Sequence, residues 1–206
     1  MANASPPNAS PPSGPGDDEV RSAGRFSTWL AEIQESLRGE HDSDVPCAGC
    51  TACCRSSQFV HIEPDERDTL AHIPAALLFP APKLPMGHVL MGYDDKGHCP
   101  MLVDDKCTIY EHRPRTCRTY DCRIFPATGV ELDEGEYVDI ARRTRTWRFD
   151  FDDDTDRAQY DAVRAAAQFV RDRMDDHPDG PEPTNAIRHA VLAIEMHTRF
   201  LPSDPD

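Results

Sequence analysis

The chain has 206 residues, enough for one domain with tails, and its 38% hydrophobic content and 19 prolines leave a lean core among long irregular segments. A net charge of −15 argues against a nucleic-acid binder, whose phosphate contacts need clustered Lys and Arg, and against an anionic membrane surface. No stretch approaches the roughly 20 apolar residues that span a bilayer, and the N-terminus has neither the basic region nor the apolar core of a secretory signal. The expected location is therefore cytoplasmic, and the two Asn-Ala-Ser triplets at Asn3 and Asn8 carry no glycosylation argument.

Residues 1–21 are rich in Pro, Ser, Ala and Asn and read as a disordered tail. From Gly24 to about Arg38, the residues Phe26, Trp29, Leu30, Ile33 and Leu37 recur at helical spacing, and Gly39 stops the run. Trp29 reads as a core anchor. Residues 59–62 suggest a short strand, and Glu63-Pro64-Asp65-Glu66 the opening of a helix through Leu70 towards Ile73. His61 and His72 are ligands by type, but the expectation here is packing or surface. Four prolines make residues 74–86 an extended loop.

Residues 88–93, 99–103 and 107–110 then read as an antiparallel meander, separated by turns at 94–97 and 104–106. A short helix is expected from Pro114. Trp147, Phe149 and Phe151 alternate as in a strand. Val163, Ala166, Ala167, Val170 and Met174 form a stripe on a helix from about Thr155 to Asp176, closed by residues 177–180. A second helix, capped by Thr184, carries Ile187, Val191, Ile194 and Phe200, and the two make a hairpin that offers a protein partner a surface. The Asp-rich run 150–156 lacks the Gly and Glu of a calcium loop, so calcium is disfavoured.

The chemistry sits in eight cysteines. Cys47, Cys50, Cys53 and Cys54 form a C-x2-C-x2-C-C array, and Cys99, Cys107, Cys117 and Cys122 follow in one block. Thiols two residues apart converge on one ion, whereas adjacent Cys53 and Cys54 point apart and serve different roles or different metals. Four disulfides would be the alternative for an exported chain; a reducing compartment favours thiolate on metal. Eight thiolates suit two all-cysteine zinc sites, yet the C-x2-C-x2-C run also opens an iron–sulfur pattern. Iron–sulfur is slightly favoured over zinc. Arg55, Arg113, Arg115, Arg118 and Arg123 lie within four residues of a cysteine, where positive charge favours thiolate. His98 and His112 are isolated acid–base candidates, and no catalytic triad, paired catalytic carboxylates or phosphate loop has a local signature.

The array Cys47-x2-Cys50-x2-Cys53-Cys54, with Gly97-x-Cys99-Pro100-x-Leu102 and the string from Cys107 through Tyr110, Arg113, Pro114 and Cys117 to Arg118, resembles the YkgJ-type cysteine-cluster family, described as a zinc- or iron-chelating domain. The resemblance covers about residues 45–125 and implies Cys47, Cys50, Cys53, Cys54, Cys99, Cys107 and Cys117 as ligands, with Arg113, Pro114 and Arg118 in its second motif. Cys122 stands where relatives carry an aromatic-proline segment, and joins the ligand set on its chemistry alone. One similar branch methylates flagellin lysines, but no glycine-rich loop here is placed to bind a methyl donor.

The expected fold is α+β: a small, irregular, metal-stapled domain with short antiparallel strands and flanking helices. The expected division is a tail (1–21), a cysteine-cluster domain with an N-terminal helix (22–145) and a helical hairpin packed on it (146–206). The expected function is a metal-binding protein with a structural role in its thiolate site and redox or metal-carrier use of it. An iron–sulfur-dependent enzyme and an adaptor are the alternatives.

Overall fold

The computed structural model describes residues 19–43, 45, 47, 49–132, 135, 137–176 and 185–202, the last three residues of the long helix by backbone alone. Most of the expected tail, residues 177–180 and Thr184 lie outside them. The architecture is α+β, with short sheets and a C-terminal helical pair.

Strand β1 (Arg21–Arg25) runs directly into helix α1 (Phe26–Leu37), so the chain is extended through Gly24, where the periodicity suggested helix. Phe26, Trp29, Leu30 and Ile33 are buried as expected, but Leu37 is exposed and Ser36 takes the inward position. Gly39, at φ +76°, ends the helix with a conformation that costs glycine little. No side chain of its own caps α1. Instead Asp156, from the long C-terminal helix, accepts from Ser27 N (3.0 Å) and from Arg25 Nε (2.9 Å). The Asp-rich run is thus a clamp on the start of α1, with Asp153 also holding Arg25 at 2.6 Å.

A 3-10 turn at Ala52–Arg55 precedes β2 (Val60–Ile62) and α2 (Arg67–His72), which starts three residues after Pro64 because residues 63–66 form a separate turn. The proline-rich stretch is not all loop. It holds a 3-10 turn (Ala75–Leu77) and β3 (Leu78–Pro80), an edge strand on which Pro80 needs no ladder N–H. β4 (Val89–Met91) lies between β2 and β3, antiparallel to both. The expected meander is therefore divided. β5 (Leu102–Val103) and β6 (Lys106–Cys107) make their own hairpin, closed by Asp104 and Asp105 at positive φ, and Cys99 precedes the strand instead of lying in it.

After a 3-10 turn at Tyr110–His112 come α3 (Arg115–Thr119), α4 (Ile124–Thr128) and α5 (Val138–Thr144). Next, β7 (Trp147–Asp150) pairs with β1, and this pair is parallel. Helix α6 (Asp154–Asp176) buries Val163, Ala166, Ala167 and Val170; Met174 is outside the described side chains. Helix α7 (Ala186–Met196) is capped by Asn185, whose side chain accepts from Arg188 N at 2.9 Å, so the cap lies one residue after Thr184.

Two apolar clusters result. The larger joins α1, α4, β7, α6 and α7 around Phe26, Trp29, Phe125, Trp147, Val163 and Ile194, and it includes Cys122. The smaller gathers Ile62, Ile73, Met91, Met101 and Ile109, with Cys99 and Cys107 packed against it. The cysteines stand where these clusters meet the irregular chain.

Candidate metal centre

The first array is shaped by two tight turns. Cys50 N donates to Cys47 O (2.8 Å), with Gly49 between them at φ +78°. Cys54 N donates to Thr51 O (2.9 Å), and Ser56 Oγ closes the following turn on Ala52 O (2.7 Å). Cys53 and Cys54 sit in the 3-10 turn Ala52–Arg55 that these bonds close.

The second block is brought to the first by the backbone. Cys99 N donates to Cys54 O at 2.7 Å and Ser57 N to Gly97 O at 2.9 Å, so residues 54–57 and 97–99 are bonded together. Asp94 Oδ1 holds this turn by accepting from Lys96 N and His98 N. Cys107 follows across the β5–β6 hairpin, opposite Leu102. Cys117 rides on α3, which Pro114 starts. Arg115 N bonds Glu66 Oε2 at its beginning and Thr116 Oγ1 bonds His61 O at 2.7 Å, docking α3 against β2. Cys122 is buried, and its Sγ accepts from Trp147 Nε1 at 3.2 Å.

The thiols influence one another most strongly within two groups, with weaker influence between them. Burial is the first cause pushing Cys54 up to about 12, followed by Cys99 and Cys107 and then by Cys50 and Cys47. Burial again, then Cys54, Cys99 and Cys107, push Cys117 up to about 12. Cys53 is raised by burial and then by Cys122, Cys47, Cys50 and, last, Cys54. Burial also takes Cys122 to about 12, opposed by the Trp147 N–H and aided by Asp121, Cys47 and Cys50. Cys53 and Cys117 touch solvent on one side, yet their sulfurs stand among many protein atoms, so loss of hydration dominates there too. The strongest influences group Cys53 and Cys122 with Cys47 and Cys50, and Cys54 and Cys117 with Cys99 and Cys107, while Cys54 also feels Cys47 and Cys50.

All eight thiols are free of disulfides. Crowded thiols that resist ionisation alone are what a cation reverses, since its charge stabilises each thiolate in turn. The donor set therefore fits a soft or borderline metal. Among the described residues no three thiols lie within 4.8 Å of one another.

Residues 46–138 match the CxxCxxCC family model. Its description is "Putative zinc- or iron-chelating domain", and it is the family that the cysteine motifs resemble. No curated protein and no solved structure matches the chain. The CxxCxxCC match covers less than half of the 206 residues and contains all eight cysteines. It supports metal binding by this segment and leaves the role of that metal open. No described helix is long and apolar enough to cross a membrane.

The arginines beside the CxxCxxCC cysteines divide. Arg115 pairs with Glu63 (2.6 Å) and Asp65 (3.0 Å), Arg55 bonds Thr51 and Asp105, and Arg123 is buried against Asp121 (2.8 Å). Arg113 stacks 3.7 Å over the Tyr110 ring, and its charge lowers Cys47 and Cys117 against the effect of burial. Arg118 stands 3.7 Å from Asp42, with its buried Nε lacking a hydrogen-bond partner among the described residues. His61 stacks on His88, with ring nitrogens 3.0 Å apart, so it is a packing residue.

Two contacts were not visible in the sequence. Trp147 reaches Cys122 from 25 residues away, and Arg143 both donates to Cys47 O (3.2 Å) and opposes the rise of the Cys47 thiol. Neither sits beside a cysteine in the chain, so proximity in sequence had no means of finding them.

Proposed function

We propose that the eight cysteines bind metal as two four-thiolate sets, Cys47–Cys50–Cys53–Cys122 and Cys54–Cys99–Cys107–Cys117, and that this fastens the two apolar clusters to each other. The observation carrying the proposal is the placement of the thiols: Cys99 N bonds Cys54 O (2.7 Å), Cys99 and Cys107 pack on the small cluster, and Cys122 is buried in the large one. The strongest thiol influences, of Cys122 on Cys53 and of Cys99 and Cys107 on Cys54, run in the same sense. Arg113 and Arg118 belong to the surroundings of these sets and bias them towards thiolate.

Iron–sulfur is favoured over zinc. The C-x2-C-x2-C run of Cys47, Cys50 and Cys53 opens an iron–sulfur pattern, and the second block lacks the paired C-x2-C knuckles of zinc sites. The site is structural first, and electron or metal carriage is the activity it equips. The cytoplasm is the compartment in which eight thiols stay reduced.

Anaerobic purification, elemental analysis and an absorbance spectrum test this. A brown protein containing iron and sulfide, bleached by dithionite, is the expected result. A colourless chain with zinc would overturn the iron assignment, and a metal-free chain the whole proposal.

A second reading, an adaptor docking a protein on the C-terminal helices, is favoured by Phe169, exposed on α6 beside Phe200 (5.6 Å between rings). Because α6 and α7 supply Val163, Ala166, Ala190 and Ile194 to the core, deleting them would unfold the chain. Phe169→Asp is the appropriate test: loss of a co-purifying protein with metal content unchanged supports this reading, and retention of every partner refutes it.

A further inference from the structure

Among the described residues, one group of side chains of metal-ligating type, Asp68, His72 and His112, converges. Helix α2 places Asp68 and His72 one turn apart on the same face, and the 3-10 turn at Tyr110–His112 lays His112 against them. The two imidazoles are stacked at 3.5 Å between centroids and 6° between planes. His112 Nδ1 lies 2.7 Å from Asp68 Oδ2, and His72 Nδ1 lies 2.8 Å from Asp68 O. One nitrogen from each ring and one carboxylate oxygen all fall within 4.8 Å of one another.

We propose that Asp68, His72 and His112 form a second metal site, separate in chemistry from the thiols, for a late divalent transition cation such as nickel, copper or zinc. Two imidazoles and a carboxylate are a ligand set for those ions and leave positions for water, whereas soft all-sulfur sites select differently. Metal–ligand bonds of about 2.0–2.2 Å would hold the three donor atoms a little over 3 Å apart. With all three donors already within 4.8 Å of one another, closing takes at most about 1–2 Å of side-chain adjustment, and the rings, 41% and 38% exposed, have room for it. Neutral imidazole is the ligating form. When a ring nitrogen that carries hydrogen turns to the metal, that hydrogen relocates to the other nitrogen, so no proton need leave. Asp68 already draws both rings together, which removes part of the ordering cost of binding. The chain's charge of −15 raises the local cation concentration further.

The test uses the full chain without a histidine tag, its cysteine sites as purified, titrated with nickel(II) by calorimetry. Wild type should take up one nickel outside the thiols. His72→Ala and His112→Ala should each weaken it about 10-fold or more, the double variant should abolish it, and His41→Ala, at another exposed histidine, should leave it unchanged. Wild-type chain that binds no nickel, or a double variant that binds as wild type does, would overturn the site. Circular dichroism and iron or zinc content, both expected unchanged, show that the variants remain folded and that the thiol sites are not what is being read.

Discussion

Two aspartates do disproportionate work in so acidic a chain. Asp121 is buried, and it accepts from Trp29 Nε1 (2.9 Å) while pairing with buried Arg123, one residue either side of Cys122. Asp121→Ala leaves a guanidinium and an indole N–H facing a low-dielectric interior, so a loss of about 3–5 kcal/mol is expected in urea denaturation. Asp156 is the other. Burial alone would raise its carboxyl, but bonds from the Ser27 hydroxyl, Asp152 N, Arg25 and Ser27 N hold it well below the usual carboxylate range. Its depressed folded value means that it stabilises the protein fully above about pH 4, the unfolded carboxylate range, and that this stabilisation is lost as pH falls towards the folded value. Asp156→Asn should therefore lower Tm by several degrees at pH 7, and the gap to wild type should narrow steadily below pH 4. A gap independent of pH would show that the charge contributes nothing.

At the level of elements, the irregular pieces holding the thiols depend on single backbone positions. Gly97 turns the chain at φ +80°, and a Cβ there would run into Ser57 Oγ. Gly97→Ala should cost more than about 1 kcal/mol and also reduce metal content, because the bonds from Ser57 to Gly97 and from Cys99 to Cys54 belong to one turn. Asn185→Ala, which removes only a helix cap, should cost about 1 kcal/mol and leave metal content alone; thermal melts with elemental analysis separate the two cases. Legibility in the sequence follows the same physics. α1, α6 and α7 were readable because burying one face repeats every three to four residues, and Phe26, Trp29, Val163 and Ile194 are buried as that repeat requires. β1, β3 and the division of the meander were not, because strands of two to five residues carry no period and their partners lie far along the chain. β1 finds β7 more than a hundred residues later. Adjacent Cys53 and Cys54 are expected from the sequence to point apart, but which distant thiol each meets depends on that same long-range packing.

Across the whole molecule, the two proposed four-thiolate sets would tie different parts together. Cys122 belongs to the large apolar cluster, whereas Cys99 and Cys107 lean on the small one. The adjacent pair Cys53–Cys54 is where the proposed sets would share a backbone, so with metal bound the array would work as a rivet between the two apolar clusters. Metal bound in such an arrangement adds its binding free energy to folding, as structural sites in small domains do. Cys53→Ser and Cys54→Ser should consequently behave as different lesions although the residues are neighbours. Each should lose about half of the bound metal. In Cys53→Ser the remaining metal should protect Cys54, Cys99, Cys107 and Cys117 from alkylation, and in Cys54→Ser it should protect Cys47, Cys50, Cys53 and Cys122. Mass-spectrometric mapping of alkylated thiols reads this directly. If both variants expose the same cysteines, the thiols form a single site and the division into two sets fails.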